Sequence, residues 1–287
     1  VEGYNGRVEI TAKPERIITA SIGHDEVTYA LVPFDRVVGV GAISKDHAYS
    51  NVADIVQDVA EISRDPEVIL SRKPEVVVTS IFLDSETVDT LSRIQIPVVQ
   101  TELKSDPEGQ INNILLMGYI YGEEERAVAF AQEVRARYDA LKVIVDSKLE
   151  SPRPTILALA SFADQLYSAG ISSTEGGVIG AAGGINAAAE AGLAGNPAIS
   201  LESIIAMNPE IIIITQPSGS GEHVKVSLLT NTALADVSAI RDGQVYVVDP
   251  KFYTTLSFWN VRGAEHLASI LWPEDLAGVV FGDFSTP

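Results

Sequence analysis

The chain states one phrase twice, and the repetition narrows the folds open to it. Residues 67–79 read EVILSRKPEVVVT and residues 202–215 read ESIIAMNPEIIIIT. In each copy a Glu (Glu67, Glu202) stands seven positions before a Pro (Pro74, Pro209). A second Glu (Glu75, Glu210), an unbroken β-branched run and a Thr (Thr79, Thr215) follow. Proline disfavours the helical region for the residue before it, so a short helix is expected to end there. The continuous Val/Ile run lacks polar alternation and predicts a strand buried on both faces, as in a parallel sheet covered by helices. One such unit in each half predicts two similar α/β lobes with a ligand cleft between them.

The rest of the chain fits that plan. Arg16–Ala20, Arg36–Val40, Glu75–Thr79 and Pro97–Thr101 read as strands, interleaved with helices near Asp25–Leu31, Ser85–Ile94 and Glu108–Tyr121. This β-then-α rhythm implies parallel sheets, Rossmann-like in each lobe. Gly122 breaks the pattern, and a long helix is expected over Glu123–Leu149. Its apolar positions Ala127, Phe130, Val134, Tyr138, Leu141 and Val145 advance by three or four, and Glu123, Glu124 and Glu125 crowd its N-terminus. At 1.5 Å per residue it would span about 40 Å. The expected organisation is an N-terminal lobe over 1–122, a linker helix over 123–149 and a C-terminal lobe over 150–287. Strands Thr155–Ala160 and Gln244–Asp249 and a closing helix near Val261–Leu271 belong to the second lobe.

Composition removes several function classes. The net charge of −19 would repel nucleic acid and anionic membrane surfaces. With no cysteine there is no disulfide, thiolate metal site or cysteine nucleophile. The sequence begins at Val1 rather than Met, which suggests a processed or trimmed product, and any export signal or lipid-anchor cysteine would have gone with the missing segment.

Catalytic signatures fail on inspection. Gly39-Val40-Gly41 lacks the third glycine of a dinucleotide fingerprint, and Gly176–Gly184 lacks the Lys-Ser/Thr of a phosphate loop. Neither Gly170-Ile171-Ser172 nor Gly219-Ser220-Gly221 completes a nucleophile elbow. The four histidines form no i, i+4 pair, so no tight protein metal site is expected. His24, His47 and His223 each follow an expected strand, where ligand contact and plain solvent exposure both remain open. The aromatic-dense segment Lys251–Arg262 carries Phe252, Tyr253, Phe258 and Trp259 between a strand and a helix, a placement that favours the mouth of a cleft.

These pieces, in order, carry a family resemblance. KPERIITASIGHDEVTYAL (Lys13–Leu31), DRVVGV (Asp35–Val40), both repeated phrases, NPAISLESII (Asn196–Ile205) and AEHLASILWP (Ala264–Pro273) resemble the helix-linked extracellular solute-binding proteins. Those proteins serve ABC importers of ferric siderophores, haem and cobalamin. The resemblance spans nearly the whole chain and implies two α/β lobes joined by one rigid helix, with ligand between them. It also implies an extracytoplasmic monomer, periplasmic or lipid-anchored, with no enzymatic activity and no intrinsic cofactor. The glutamate opening each repeated unit docks, in that family, on an arginine pocket of the permease, and Glu67 and Glu202 match those positions.

The resemblance also bears on the ligand. Haem-binding members carry an axial tyrosine about seven positions before the first docking glutamate, where this chain has Ala60. A cobalamin binder is expected to place Trp six positions before each docking glutamate, where Glu61 and Asn196 stand. By elimination the expected ligand is a ferric siderophore or similar chelate, with cobalamin, haem or an α/β enzyme in the same cleft as alternatives. The cleft is expected to be floored by His24, Lys45, His47, Tyr49, Phe82, Phe162, Tyr253, Trp259 and Arg262, with Glu61 and Asn196 at its rim. Cleft cations are few, so a neutral or cationic chelate fits better than a triply anionic one.

Overall fold

The computed structural model describes residues 1–81, 83–148 and 152–285. Two separate sheets form around the two copies of the repeated phrase. The first runs, in spatial order, Glu61–Ile62, Val37–Gly41, Ile17–Thr19, Val76–Ser80 and Val98–Thr101, all parallel. The second runs Ala198–Ile199, Gln165–Ser168, Thr155–Phe162, Ile211–Thr215 and Val245–Val248. Its last three strands are parallel, whereas Gln165–Ser168 returns antiparallel to Thr155–Phe162. In both lobes the Val/Ile run of the phrase is an inner strand buried along its length, as the absence of polar alternation predicts.

Each residue of the phrase has a structural reason. The short helices span Pro66–Ser71 and Leu201–Met207, capped by Asp65, which accepts from the Glu67 amide, and by Ser200, which accepts from the Ser203 amide. The residue before each proline is left-handed, with φ of 51° at Lys73 and 42° at Asn208. The second helix therefore ends where expected, while the first stops earlier, at Ser71. The second glutamates do matching work. Glu75 donates its amide to Arg16 O at 2.8 Å and accepts the Glu15 amide at 2.6 Å. Glu210 donates to Thr155 O at 3.0 Å and accepts the Thr155 amide at 2.7 Å. In both lobes this carboxylate fastens the phrase's strand to the start of the lobe's first strand.

The expected linker helix is present over Glu124–Ser147, and Leu149 lies outside the described residues. Ala127, Phe130, Val134, Tyr138 and Leu141 are buried as the periodicity predicts, and Val145 is half-buried. Its N-terminal neighbour Glu123 holds Lys13 at 2.8 Å and the nearly buried Arg36. One apolar core runs through both lobes and the helix, joining Ile17 and Val40 to Phe130, Leu141, Ile156 and Ile213. Smaller cores lie on the outer face of each sheet.

Periodicity did not reveal the short edge strands Glu61–Ile62 and Ala198–Ile199, nor the returning strand Gln165–Ser168. The Gly-rich stretch is a helix over Thr174–Ala181, and Gly177 shows why glycine is needed: a Cβ there would stand 2.7 Å from Ser105 O. No described helix is long and apolar enough to cross a membrane.

Candidate ligand cleft and docking helices

The carboxyl ends of the parallel strands in the two lobes face one another, and the segments leaving them make the contacts between lobes. Asn51, from the loop after Val37–Gly41, donates to Lys251 O at 2.8 Å. His47 and Ala48 meet Gln216, Ser218, Asp249 and Lys251 around an interlobe cavity of about 290 Å³. Because parallel sheets bind ligands beyond their carboxyl ends, this is the mouth the fold offers.

Beneath the mouth lies a buried titratable triplet with protein partners, although Asp25 Oδ1 has no hydrogen-bond partner of its own among the described residues. His24, Asp25 and Glu26 occupy the first turns of Ile22–Leu31 and are each at most 1% exposed. The His24 ring bonds Ser21 Oγ through Nδ1 at 2.6 Å and Thr101 Oγ1 through Nε2 at 2.7 Å. Burial pulls its pKa down to about 3, so the ring is neutral. Asp25 accepts the Gly41 amide at 3.1 Å and the Ser44 hydroxyl, and burial pushes its carboxyl up to about 7. Glu26 accepts the Asn51 amide and side chain, each at 2.8 Å. Its other oxygen accepts the Thr255 and Ser257 hydroxyls of the opposite lobe, each at 2.5 Å. Burial raises this carboxyl too, against the opposing effect of those four donors.

The residues read from sequence as cleft-forming separate into groups. His24 is below the floor and spent on Ser21 and Thr101. Lys45 is half-buried and donates to Gln57 O at 2.9 Å, His47 is exposed with Asp54 at 3.4 Å, and Tyr49 is half-buried. Phe162 stands 76% exposed at the end of its strand. Glu61 is exposed on the edge strand, and Asn196 is exposed and tempers, by a hydrogen bond, the raised pKa that burial gives Glu175. Phe82 lies outside the described residues.

Tyr253, Trp259 and Arg262 correct the expectation that they floor the cleft. They line a different cavity, about 630 Å³, whose described walls all come from the second lobe and the C-terminal tail. The tail is the reason. Phe284 closes on Trp259 at 5.1 Å and on Phe258 at 4.9 Å, and Arg262 donates to Phe281 O at 3.0 Å. Tyr253 is buried and bonds His266 Nδ1 at 2.8 Å. An aromatic cluster inside sequence gives no sign of whether its cover is ligand or the chain's own end.

Glu67 and Glu202 are both exposed, at equivalent places in the first turns of the two short helices. Hydrogen bonding from Ser200 and the helix's own backbone holds the Glu202 carboxyl below its ordinary pKa, so it is ionised. Sequence reasoning did not single out Asp25, Glu26, Thr255 or Ser257. Nothing local to Glu26 reports partners some 230 residues away.

Comparison with known proteins agrees with this architecture. The profile of a family described as periplasmic binding protein matches residues 17–252. A Bacillus subtilis protein described as an uncharacterized ABC transporter substrate-binding lipoprotein is 22% identical over 95% of this chain and 85% of its own. A cobalamin-binding protein of Halobacterium salinarum is 24% identical over 74% of this chain and 57% of its own. Among solved structures, the molybdate-binding protein MolA of Haemophilus influenzae superposes with a TM-score of 0.80 at 20% identity, over 97% of this chain and 93% of that one. The haem-binding protein HutB of Vibrio cholerae gives 0.77 at 20% identity, over 90% and 99%. At such identities the structural likeness speaks for the fold.

Proposed function

Since the chain belongs to the periplasmic binding protein family and is a substrate-binding component of an ABC transporter, we propose that it captures a ferric siderophore or similar metal chelate outside the cytoplasm. It would hand that cargo to a permease through Glu67 and Glu202. One observation supports the choice of cargo. Among the described residues no group of three or more His, Asp or Glu side chains is placed to hold a metal ion, and His24, Asp25 and Glu26 are buried beneath the interlobe mouth. A metal carried there would have to bring its own ligand set. At the mouth, His47 beside Gln216, Ser218 and Lys251 suits the organic periphery of a chelate through stacking and hydrogen bonds.

Cobalamin is the second reading, because it too carries its metal fully ligated by the macrocycle, and a relative is described as a binder of it. The test is calorimetric titration with ferric hydroxamate, catecholate and carboxylate siderophores, cyanocobalamin, haem, molybdate and ferric citrate. Tight one-to-one binding of a ferric siderophore, with no binding of molybdate, is the expected result. Preference for cyanocobalamin would shift the assignment to the second reading. A haem complex whose Soret band changes in His47→Ala would overturn both. For delivery, the double variant Glu67→Ala/Glu202→Ala should bind its cargo normally yet fail to drive uptake through a reconstituted permease. Each lost charge-assisted contact is worth about 1.5–3 kcal/mol. Normal uptake would remove these glutamates from docking.

A further inference from the structure

The interlobe mouth is small for a whole metal chelate. Its cavity is about 290 Å³, at the lower limit of the pockets of about 300–1,000 Å³ that enclose a drug-sized molecule. The cavity beneath the C-terminal tail is about 630 Å³, and it shares three wall residues with the mouth, Val247, Val248 and Asp249. Lys251 lines the mouth and the next residue, Phe252, lines the second cavity. One ridge, made of the strand end and the short helix Pro250–Tyr253, therefore separates the two. Together they fall near the upper end of that size range.

The second cavity has a definite chemistry. Phe252, Tyr253, Trp259 and Phe281 give it aromatic walls. The tail roofs it with alternate residues: Val279, Phe281 and Asp283 line the cavity, while Val280 between them is 90% exposed. Arginines hold that roof in place. Arg262 donates to Phe281 O at 3.0 Å and to Gly282 O at 2.5 Å, and reaches Asp283 at 3.1 Å, while Arg137 donates to Gly282 O at 3.0 Å. The Arg262 guanidinium is thus spent on the tail, and Asp249 and Asp283 stand exposed on the walls. His266 is kept neutral by partial burial and bonds Tyr253 through Nδ1, and its Nε2 has no partner among the described residues. These walls suit an uncharged group that carries an aromatic ring and one polar atom for the imidazole.

We propose that the cargo is held in two compartments, its metal-bearing core at the interlobe mouth and an uncharged aromatic acyl arm in the chamber beneath the C-terminal tail. The inference rests on the chelate reading above and deepens it by naming the arm this protein selects. The tail is then part of the binding site, although it belongs to neither sheet. Phe252 and Trp259 meet the arm in a side chamber instead of flooring the cleft. An anionic arm is selected against, because the chamber presents acids and its guanidinium is already paired.

The experiment uses the whole chain and two ferric chelates, the trihydroxamate ferrioxamine B and a tris-catecholate with a pendant amine. Each amine is acylated with either an acetyl or a benzoyl group, so the two forms differ only in the ring. Calorimetry on the native chain should give the benzoyl form an advantage of about tenfold or more. Val279→Trp fills the chamber from the tail, and Ser269→Trp fills it from an exposed position on the helix Asn260–Leu271. Either should bring the ratio of the two affinities close to one. A general folding defect would lower both affinities together and leave their ratio in place, and the second variant serves if the first fails to fold. Equal affinities in the native chain, or a preference that survives both variants, would overturn the proposal and leave the chelate reading standing. If neither chelate binds in either form, the chelate reading falls and takes this one with it.

Discussion

His24 and Asp25 are adjacent in sequence and buried together, yet their protonation pulls stability in opposite directions. Burial raises the Asp25 carboxyl from 3.8 to about 7, opposed by bonds from Ser44, Thr19 and the Gly41 amide, with the Glu26 charge adding to the rise. The folded chain keeps a proton that the unfolded chain releases. This contribution is therefore full below pH 3.8 and is lost as pH rises to about 7. Burial lowers His24 from 6.5 to about 3, so its contribution is full above 6.5 and is lost as pH falls towards 3. Where the windows overlap, the two slopes oppose one another, each about 1.4 kcal/mol per pH unit. Asp25→Asn should remove one of them. Urea melts across that window should show the unfolding free energy of the variant rising with pH more steeply than that of the native chain, by about that amount. Parallel curves would mean that Asp25 titrates as an ordinary carboxylate. Sequence alone flagged His24 by its place after a strand. It could not show that the ring is sealed by Ser21 and Thr101, because Thr101 reaches it from another strand of the sheet.

At the scale of elements, the repeated phrase was the most legible part of the molecule. Its Pro, its Val/Ile run and its two glutamates each act through neighbours a few residues away or through one adjacent strand, and such local physics leaves a pattern in sequence. The hairpin at Phe162–Gln165 was invisible for the opposite reason: Ala163 has no preference for a left-handed turn, and Asp164 without a glycine beside it is a weak signal. That choice has a measurable cost. An alanine in the left-handed region loses about 1–2 kcal/mol relative to a right-handed one, and glycine escapes it at some expense in unfolded-chain entropy. Ala163→Gly should therefore raise the unfolding free energy by about 0.5–1 kcal/mol. A lower melting temperature for the variant would show that the methyl group makes a contact worth more than the strain. The aromatic cluster teaches the same lesson from the other side. Phe252, Phe258 and Trp259 were read as favouring the mouth of a cleft, but Phe284 covers Phe258 and Trp259, carried there by a tail with no periodicity of its own.

Across the whole molecule, the linker helix is one of several ties between the lobes, and the others stiffen it. The apolar core passes uninterrupted from one sheet to the other beside Phe130 and Leu141. Asn260 of the closing helix bonds Ser105 O at 2.9 Å and also accepts the Tyr138 hydroxyl of the linker. Arg126 of the linker reaches Ala30 O at 3.1 Å and Ser285 O at 2.7 Å, so the tail braces the helix from outside. At the floor of the mouth, Glu26 clasps Thr255 and Ser257 across the interlobe boundary. Bending a continuous helix breaks i→i−4 hydrogen bonds, and here bending would also pull a buried carboxylate off its donors. Ligand should therefore enter a nearly preformed cleft. Spin labels on cysteines introduced at the exposed positions Glu86 and Val226, one in each lobe, give a clean distance measurement in a chain with no native cysteine. The distribution should be narrow and should shift by less than about 2 Å when cargo binds, as in pre-organised complexes. Replacing both hydroxyl donors, Thr255→Val with Ser257→Ala, should cost about 1.5–3 kcal/mol of stability and broaden that distribution, because it leaves the Glu26 oxygen buried without them. A double variant as narrow as the native chain would place the rigidity in the helix and core alone. A shift of many ångströms in the native chain on binding cargo would instead make these ties a latch that opens and closes.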